Sequence, residues 1–129
     1  MTECTEAYNL SELVSETNTN LKKVKCLRCD SFILQPNSGL FTKLEMSLSI
    51  PALRQKKSIV TGDSIEYELL QNFWIVNDAF TFENIGFTNT VDNKKYLICA
   101  DCEIGPLGVQ NLDNPNEFYL SIDRVKHVN

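Results

Sequence analysis

Alternation of apolar and polar side chains is the clearest structural signal along this chain. Between Thr42 and Ile50 every second side chain is apolar, and the residues between them are polar or charged. The apolar set is Leu44, Met46, Leu48 and Ile50. A period of two is typical of a β-strand with one buried face, so the pattern predicts a half-buried strand that is closed by Pro51.

Shorter apolar segments bounded by turn residues predict further strands. Phe80 and Phe82 alternate with polar neighbours, which places them on one face of a single strand, and we expect Phe82 and Trp74 to pack in the core. The long polar stretch 51–70 is predicted to be a loop. The other predicted strands are residues 31–34, 73–76, 95–100, 109–112 and 118–125.

The first part of the chain has a different character from the rest. It contains four glutamates and no lysine or arginine before Lys22, and Leu10, Leu13 and Val14 are spaced as on one face of a short helix. We therefore predict an acidic, flexible arm over residues 1–20 that carries one short helix. Residues 21–129 are predicted to form a single, mainly antiparallel β domain with at most one or two short helices.

The cysteines supply the candidate chemistry. Four of the five form two Cys-x-x-Cys pairs, Cys26 with Cys29 and Cys99 with Cys102, and 69 residues separate the pairs. Two residues between ligands make a tight turn that aims both sulfurs at one point, so four thiolates for one structural Zn²⁺ are predicted. Two separate redox dithiols, or simply buried thiols, are the alternatives. Cys4 has no assigned role.

Composition and charge narrow the range of functions. The chain has 129 residues and a formal net charge of −5, which argues against a nonspecific binder of nucleic acid or of anionic membranes. It has no apolar run long enough to cross a membrane and no secretory signal pattern, so we expect a cytoplasmic protein.

The same sequence offers little for catalysis. It lacks a phosphate-binding P-loop motif, and its single histidine, His127, is expected at the surface near a strand end. A metal with four thiolate ligands has no open position for an activated water. We therefore expect a metal-stabilised binding module and no enzyme.

Two stretches closely resemble one known family. They are residues 73–88 and residues 96–108, and the second contains Cys99-Ala100-Asp101-Cys102-Glu103-Ile104-Gly105-Pro106. The family is that of the Rab-interacting factor, or mammalian suppressor of Sec-four, a zinc-binding guanine-nucleotide releasing factor for Rab GTPases. Weaker matches extend the resemblance from Glu12 to His127.

The resemblance implies a fold, a set of partners and a binding surface. The fold is a β-tent of coiled antiparallel sheets in which Zn²⁺ joins the two cysteine turns. The partners are exocytic Rab GTPases in vesicle-mediated protein transport, and a monomer releases their nucleotide slowly and holds the empty form as a chaperone does. Asp101 and the step Asp78-Ala79-Phe80 match the partner-binding surface of the family. Ala79 replaces a methionine there, which removes a flexible apolar contact, so affinity, rate or Rab preference is expected to differ.

Two other classes compete with this interpretation. Methionine sulfoxide reductases of the B type resemble this fold and share the paired cysteine turns, but they need a catalytic cysteine after the second pair, and none follows Cys102. A zinc-ribbon module that reads nucleic acid is disfavoured by the acidic balance and the scattered basic residues.

Overall fold

A computed structural model of the chain describes residues 10–49, 52–53, 67–88, 90 and 93–128. Within them, one short α-helix and two 3-10 helices, Ala79–Thr81 and Ile122–Arg124, accompany eleven β-strands. The helix is α1 (Leu10–Leu13), and the strands are β1 (Lys23–Cys26), β2 (Phe32–Leu34), β3 (Leu40–Ser49), β4 (Ala52–Leu53), β5 (Tyr67–Val76), β6 (Ile85–Phe87), β7 (Lys94–Cys99), β8 (Ile104–Gly105), β9 (Gly108–Asn111), β10 (Phe118–Ser121) and β11 (Val125–Val128).

The strands form three sheets in which every described pairing is antiparallel. A six-stranded sheet has the order β3-β5-β10-β9-β7-β6, a three-stranded sheet has the order β11-β1-β2, and β4 pairs with β8. The prediction of a small, mainly β domain is confirmed. Among the described residues, no helix is long and apolar enough to cross a membrane.

The main core is built around the indole of Trp74. This side chain has no exposed surface, and the core that it joins also contains Phe82, so both predictions of core packing are confirmed. The edge of Phe41 contacts the indole, and the indole N–H donates a 3.1 Å hydrogen bond to Nε2 of His127. Because β11 carries His127, this contact ties the three-stranded sheet to the six-stranded sheet.

The alternating segment forms a strand as predicted, but its apolar side chains do not all lie on one buried face. Leu48 is buried and Met46 is half-buried, whereas Leu44 is 42% exposed. The register between β3 and β5 shifts between Lys43 and Met46. A bulge places one extra residue on a strand and breaks the alternation of faces, which explains the exposure of Leu44. Ile50 lies outside the described residues.

Three other predictions of secondary structure need correction. The predicted loop 51–70 contains β4 and the first residues of β5, which begins at Tyr67; residues 54–66 lie outside the described part. Phe80 and Phe82 share no strand face, because a 3-10 helix covers Ala79–Thr81. The predicted strand 118–125 is divided by the second 3-10 helix into β10 and β11.

The segment before β1 is joined to the domain by specific contacts. The predicted helix is present as α1, and Leu13 at its end belongs to the main core. Asn20 is fully buried, and its side-chain amide donates to the carbonyls of Lys22 and Gln35 and accepts from the N–H groups of Ser38 and Gly39, at 2.8–2.9 Å. A division of the chain at residue 20 stays a prediction.

A buried arginine joins three parts of the fold. Arg124 is 4% exposed, and its guanidinium donates to the carbonyl of Pro106 at 2.7 Å and to the carbonyl of Leu48 at 3.4 Å. It also forms a 3.0 Å ion pair with Glu68 on β5. Burial lowers the pKa of the guanidinium, and the Glu68 carboxylate opposes that shift.

Candidate functional site

The two cysteine pairs meet at one point, as the sequence predicts. All four sulfurs lie within 4.8 Å of one another. The Sγ atoms of Cys26 and Cys102 are 3.7 Å apart, and those of Cys29 and Cys99 are 3.6 Å apart. Four thiolates at about 2.3 Å from a tetrahedral metal ion have sulfur–sulfur separations of about 3.8 Å. The four cysteines could therefore hold one metal ion with little rearrangement.

Two similar turns, which we call the first knuckle (residues 26–30) and the second knuckle (residues 99–103), hold the sulfurs in place. In each turn the second cysteine donates its backbone N–H to the sulfur of the first at 3.5 Å. The residue after each pair, Asp30 or Glu103, has a positive φ of 70° or 65° and donates its N–H to the carbonyl of the first cysteine. The left-handed residue is what turns the chain away after the second ligand.

The protonation of the thiols depends on their surroundings. The hydrogen bond from the Ser31 side chain lowers the pKa of Cys29 to about 7. Burial raises the pKa of Cys102 to about 12 and also raises the pKa of Cys99. A nearby cation reverses such a rise, because a thiol that coordinates a metal ion is deprotonated. The buried thiols can therefore become thiolates only beside a cation. Thiolate ligands suit a soft divalent metal ion.

Asp101 lies inside the second knuckle with its side chain exposed. Its Oδ2 accepts a 2.6 Å hydrogen bond from the hydroxyl of Ser31, which follows the first knuckle. Ser31 Oγ is also 3.1 Å from the sulfur of Cys29. Sequence reasoning missed Ser31, although its place two residues after a cysteine pair is a signal that it lies beside the cysteine cluster.

The other predicted partner-binding residues lie around the 3-10 helix Ala79–Thr81. Asp78 caps this helix, because its carboxylate accepts a 2.9 Å hydrogen bond from the N–H of Phe80. The methyl group of Ala79 is half-buried and packs on the main core. The ring of Phe80 is 95% exposed, the largest exposure among the large apolar side chains that the structure describes.

Backbone hydrogen bonds connect this helix to the second knuckle. Four residues after Phe80, the carbonyl of Asn84 accepts a 2.9 Å bond from the N–H of Ala100, the neighbour of Asp101. The side chain of Asn84 donates to the carbonyl of Phe32 at 3.1 Å. Asn84 therefore holds the segment after Phe80 between the second knuckle and β2.

The expectation that His127 lies at the surface is wrong. The ring is half-buried, packs edge-on against Trp74 and accepts the indole N–H. Burial and, as the smaller cause, the positive charge of Lys22 together lower the pKa of His127 to about 4. The neutral imidazole is a structural acceptor, which a count of residues to the end of the chain does not reveal.

Comparison with known proteins gives consistent results. The sequence model of the Mss4 protein family matches residues 19–127. The chain is 41% identical over 123 residues to the guanine nucleotide exchange factor MSS4 homolog of Drosophila melanogaster, a match that covers 95% of this chain and 97% of the relative. It is 42% identical over 50 residues to the protein of the same name from Schizosaccharomyces pombe, which covers 38% of this chain and 49% of that relative.

Proposed function

Because the chain belongs to the Mss4 family, we propose that it is a guanine-nucleotide releasing factor for exocytic Rab GTPases. The observation that carries the proposal is the match, over nearly the whole length of both chains, to a relative named as a guanine nucleotide exchange factor. The protein then supplies binding surfaces to a GTPase and no catalytic groups. It holds the nucleotide-free form as a chaperone does, acts as a cytoplasmic monomer and serves vesicle-mediated protein transport.

We place the partner-binding surface at Asp101 and at Asp78-Ala79-Phe80. Asp101 is exposed, and the ring of Phe80 is almost fully in water, where it is available to a partner; aromatic side chains are enriched in protein interfaces. The hydrogen bonds through Asn84 support a common surface for these two elements. Asp78 contributes by holding the short helix that presents Phe80, and Ala79 contributes by packing beneath it.

Thermodynamic linkage explains how such a surface releases nucleotide. A protein that binds the empty GTPase more tightly than the loaded GTPase weakens nucleotide binding by the same factor. The carboxylate of Asp101 suits this task, since it can pair with a lysine that otherwise holds phosphate and it repels the phosphate itself. The ring of Phe80 can hold a segment of the GTPase that the nucleotide no longer orders.

The metal is proposed to be one structural Zn²⁺, held by Cys26, Cys29, Cys99 and Cys102. Four thiolates in a tetrahedral array are the donor set of structural zinc, and no position is left for substrate or water. The ion would fix the distance between the two knuckles and thereby fix Asp101 relative to β2.

A panel of Rab GTPases tests the proposed function. Each Rab is prepared nucleotide-free, loaded with GDP and loaded with a GTP analogue, and its binding to the purified full-length chain is measured together with the rate of GDP release. We expect preferential binding of the nucleotide-free form of at least one exocytic Rab and faster GDP release from it. Equal binding of the three forms across the panel would refute the proposal.

The role of Phe80 is tested with a matched pair of variants. Phe80→Ala is expected to weaken binding of the empty Rab about tenfold or more, because burying an aromatic ring contributes about 2 kcal/mol. Leu69→Ala removes another exposed apolar side chain, on β5, and is expected to change binding little. Both variants should keep the melting temperature of the parent protein. Equal binding by Phe80→Ala and the parent would remove Phe80 from the surface.

A further inference from the structure

The hydroxyl of Ser31 lies between a carboxylate oxygen of Asp101 and the sulfur of Cys29. Its Oγ is 2.6 Å from Oδ2 of Asp101 and 3.1 Å from Sγ of Cys29, and those two acceptors are 4.0 Å apart. The bond to Asp101 joins the residue that follows the first knuckle to the second knuckle, over 70 positions of the sequence.

The Ser31 hydroxyl has one proton, so it can hydrogen-bond in two alternative ways, either to Asp101 or to the Cys29 sulfur. A metal-bound thiolate and an ionised carboxylate have no proton to donate, so the single hydroxyl proton of Ser31 serves one acceptor at a time. The distance of 2.6 Å is typical of a charge-assisted O–H···O⁻ bond, which is stronger than a bond to sulfur. In the protein alone, the hydroxyl therefore donates mainly to Asp101 and only in part to the Cys29 sulfur, and the stronger bond holds the carboxylate beside the first knuckle.

We propose that Ser31 is a positioning residue that fixes Asp101 for the GTPase and turns its hydroxyl to the Cys29 sulfur when a cation of the partner engages Asp101. The cation lowers the negative charge of the carboxylate and weakens it as an acceptor, whereas the thiolate stays within reach at 3.1 Å. Binding of the partner at the surface then adds a hydrogen bond to a thiolate ligand of the metal. This inference rests on the proposed function for the identity of the partner, but the Ser31 link itself can be measured without any GTPase.

Replacement of the native metal by Co²⁺ provides the measurement. The sulfur-to-cobalt charge-transfer absorption moves to higher energy when a thiolate accepts a hydrogen bond, because that bond lowers the energy of the sulfur electrons. Asp101→Ala removes the competing acceptor, so we expect its absorption to lie at higher energy than that of the parent chain. The shift should be absent from the double variant Ser31→Ala/Asp101→Ala when it is compared with Ser31→Ala alone.

Two controls separate this effect from general damage. Asp78→Ala removes the other predicted carboxylate of the surface, which accepts the N–H of Phe80 at the start of the 3-10 helix, and should leave the spectrum unchanged. Ser31→Thr retains the hydroxyl and should retain the response to Asp101→Ala. All variants should bind one Co²⁺ per chain. No shift with Asp101→Ala, or a shift that persists without the Ser31 hydroxyl, would overturn the proposal even if Ser31→Ala folded poorly.

Addition of the nucleotide-free Rab identified above then tests the coupling. We expect the parent chain to show the same shift on binding, and Ser31→Ala to show none and to bind about two- to tenfold more weakly, as expected for loss of one hydrogen bond that orients the carboxylate. If the variants of the free chain behave as expected but no Rab binds, the proposed function fails and the Ser31 link stands. If the Rab binds and releases GDP without any spectral change, the coupling fails and the proposed function stands.

Discussion

The two knuckles have nearly the same backbone and different contents. Each uses an N–H to sulfur bond between its cysteines and a left-handed residue after the pair. The first knuckle encloses Leu27 and Arg28, both exposed, whereas the second encloses Ala100 and Asp101. The comparison shows that the backbone geometry follows the two cysteines and the left-handed residue, which both turns share. The two residues inside each turn are free to differ, and in the second knuckle they carry the acidic group that we assign to partner binding.

The largest effect is expected from loss of a metal ligand, and it should be equal at both knuckles. Cys29→Ser and Cys102→Ser each remove one thiolate from the cluster. Binding of a structural Zn²⁺ is worth on the order of 10 kcal/mol, similar to the stability of a whole domain. We expect both variants to lose the bound metal and cooperative thermal unfolding, measured by metal analysis and circular dichroism.

Leu27→Ala is the control inside the same turn, because it leaves every ligand in place, and it should keep both properties. A Cys29→Ser or Cys102→Ser protein that retained stoichiometric metal and the parental melting curve would show that the knuckles do not share one ion.

The next largest effect should distinguish the charged residue inside the second knuckle, Asp101, from the charged residue inside the first knuckle, Arg28. Asp101→Asn is expected to slow GDP release from the cognate Rab about tenfold or more, because the amide carries no charge to pair with the lysine. Arg28→Gln removes the charge at the first knuckle and should alter release less than twofold. Metal content should be unchanged in both. Equal rates for Asp101→Asn and the parent chain would remove Asp101 from the mechanism.

Lowering the pH is expected to destabilise the three-stranded sheet β11-β1-β2 before the six-stranded sheet that contains β7. The pKa of His127 in the folded chain is about 4, below its ordinary value near 6.5, so its contribution to stability is present above pH 6.5 and is lost as the pH falls towards 4. The slope approaches about 1.4 kcal/mol per pH unit as one proton is taken up. Hydrogen-exchange protection factors, which correct for the slower intrinsic exchange at lower pH, should fall between pH 7 and 5 more in β1 and β11 than in β7.

Because protonation of the thiolates also weakens the metal site at low pH, the His127→Gln variant provides the comparison. Its stability should depend less steeply on pH than that of the parent chain over the same range. Parallel curves for the two proteins would mean that His127 does not titrate in this window.

The smallest effect concerns the left-handed residues. Glu103→Gly should raise the free energy of unfolding by up to about 1 kcal/mol, since a side chain strains this backbone conformation and glycine does not. Asp30→Gly relieves the same strain but removes the ion pairs of Asp30 with Lys126 and Lys25, so its gain should be smaller. Chemical denaturation measures both. A larger gain at Asp30 than at Glu103 would contradict this account.

The sequence was enough to predict the four-cysteine cluster, because the spacing of cysteines within a turn is a local property. Two residues between cysteines define each turn, and four thiols in two such turns have few other uses in a small domain. The bulge at Lys43, the start of β5 at Tyr67 and the 3-10 helix at Ala79–Thr81 were not predicted, because they depend on which strands pair and where the register shifts.

The functional surface was predictable only in part. Asp101 and Phe80 were selected through a family resemblance, and the structure adds that both are exposed, which the sequence does not show. Ser31 and His127 were missed for one common reason. Each acquires its role from a partner far along the chain, Asp101 for one and Trp74 for the other, and such pairs become visible only once the sheets have assembled.

The buried Arg124 affects the register of β3, an edge strand of the six-stranded sheet. The guanidinium of Arg124 donates to the main-chain carbonyl of Leu48 on β3 and to the carboxylate of Glu68 on the neighbouring strand β5. Sliding β3 by one position would turn that carbonyl to the opposite side and leave an enclosed positive charge with fewer acceptors. The ionised side chain of Arg124 thus favours one register of β3 over the others, close to the bulge that interrupts the hydrogen-bond ladder between Lys43 and Met46.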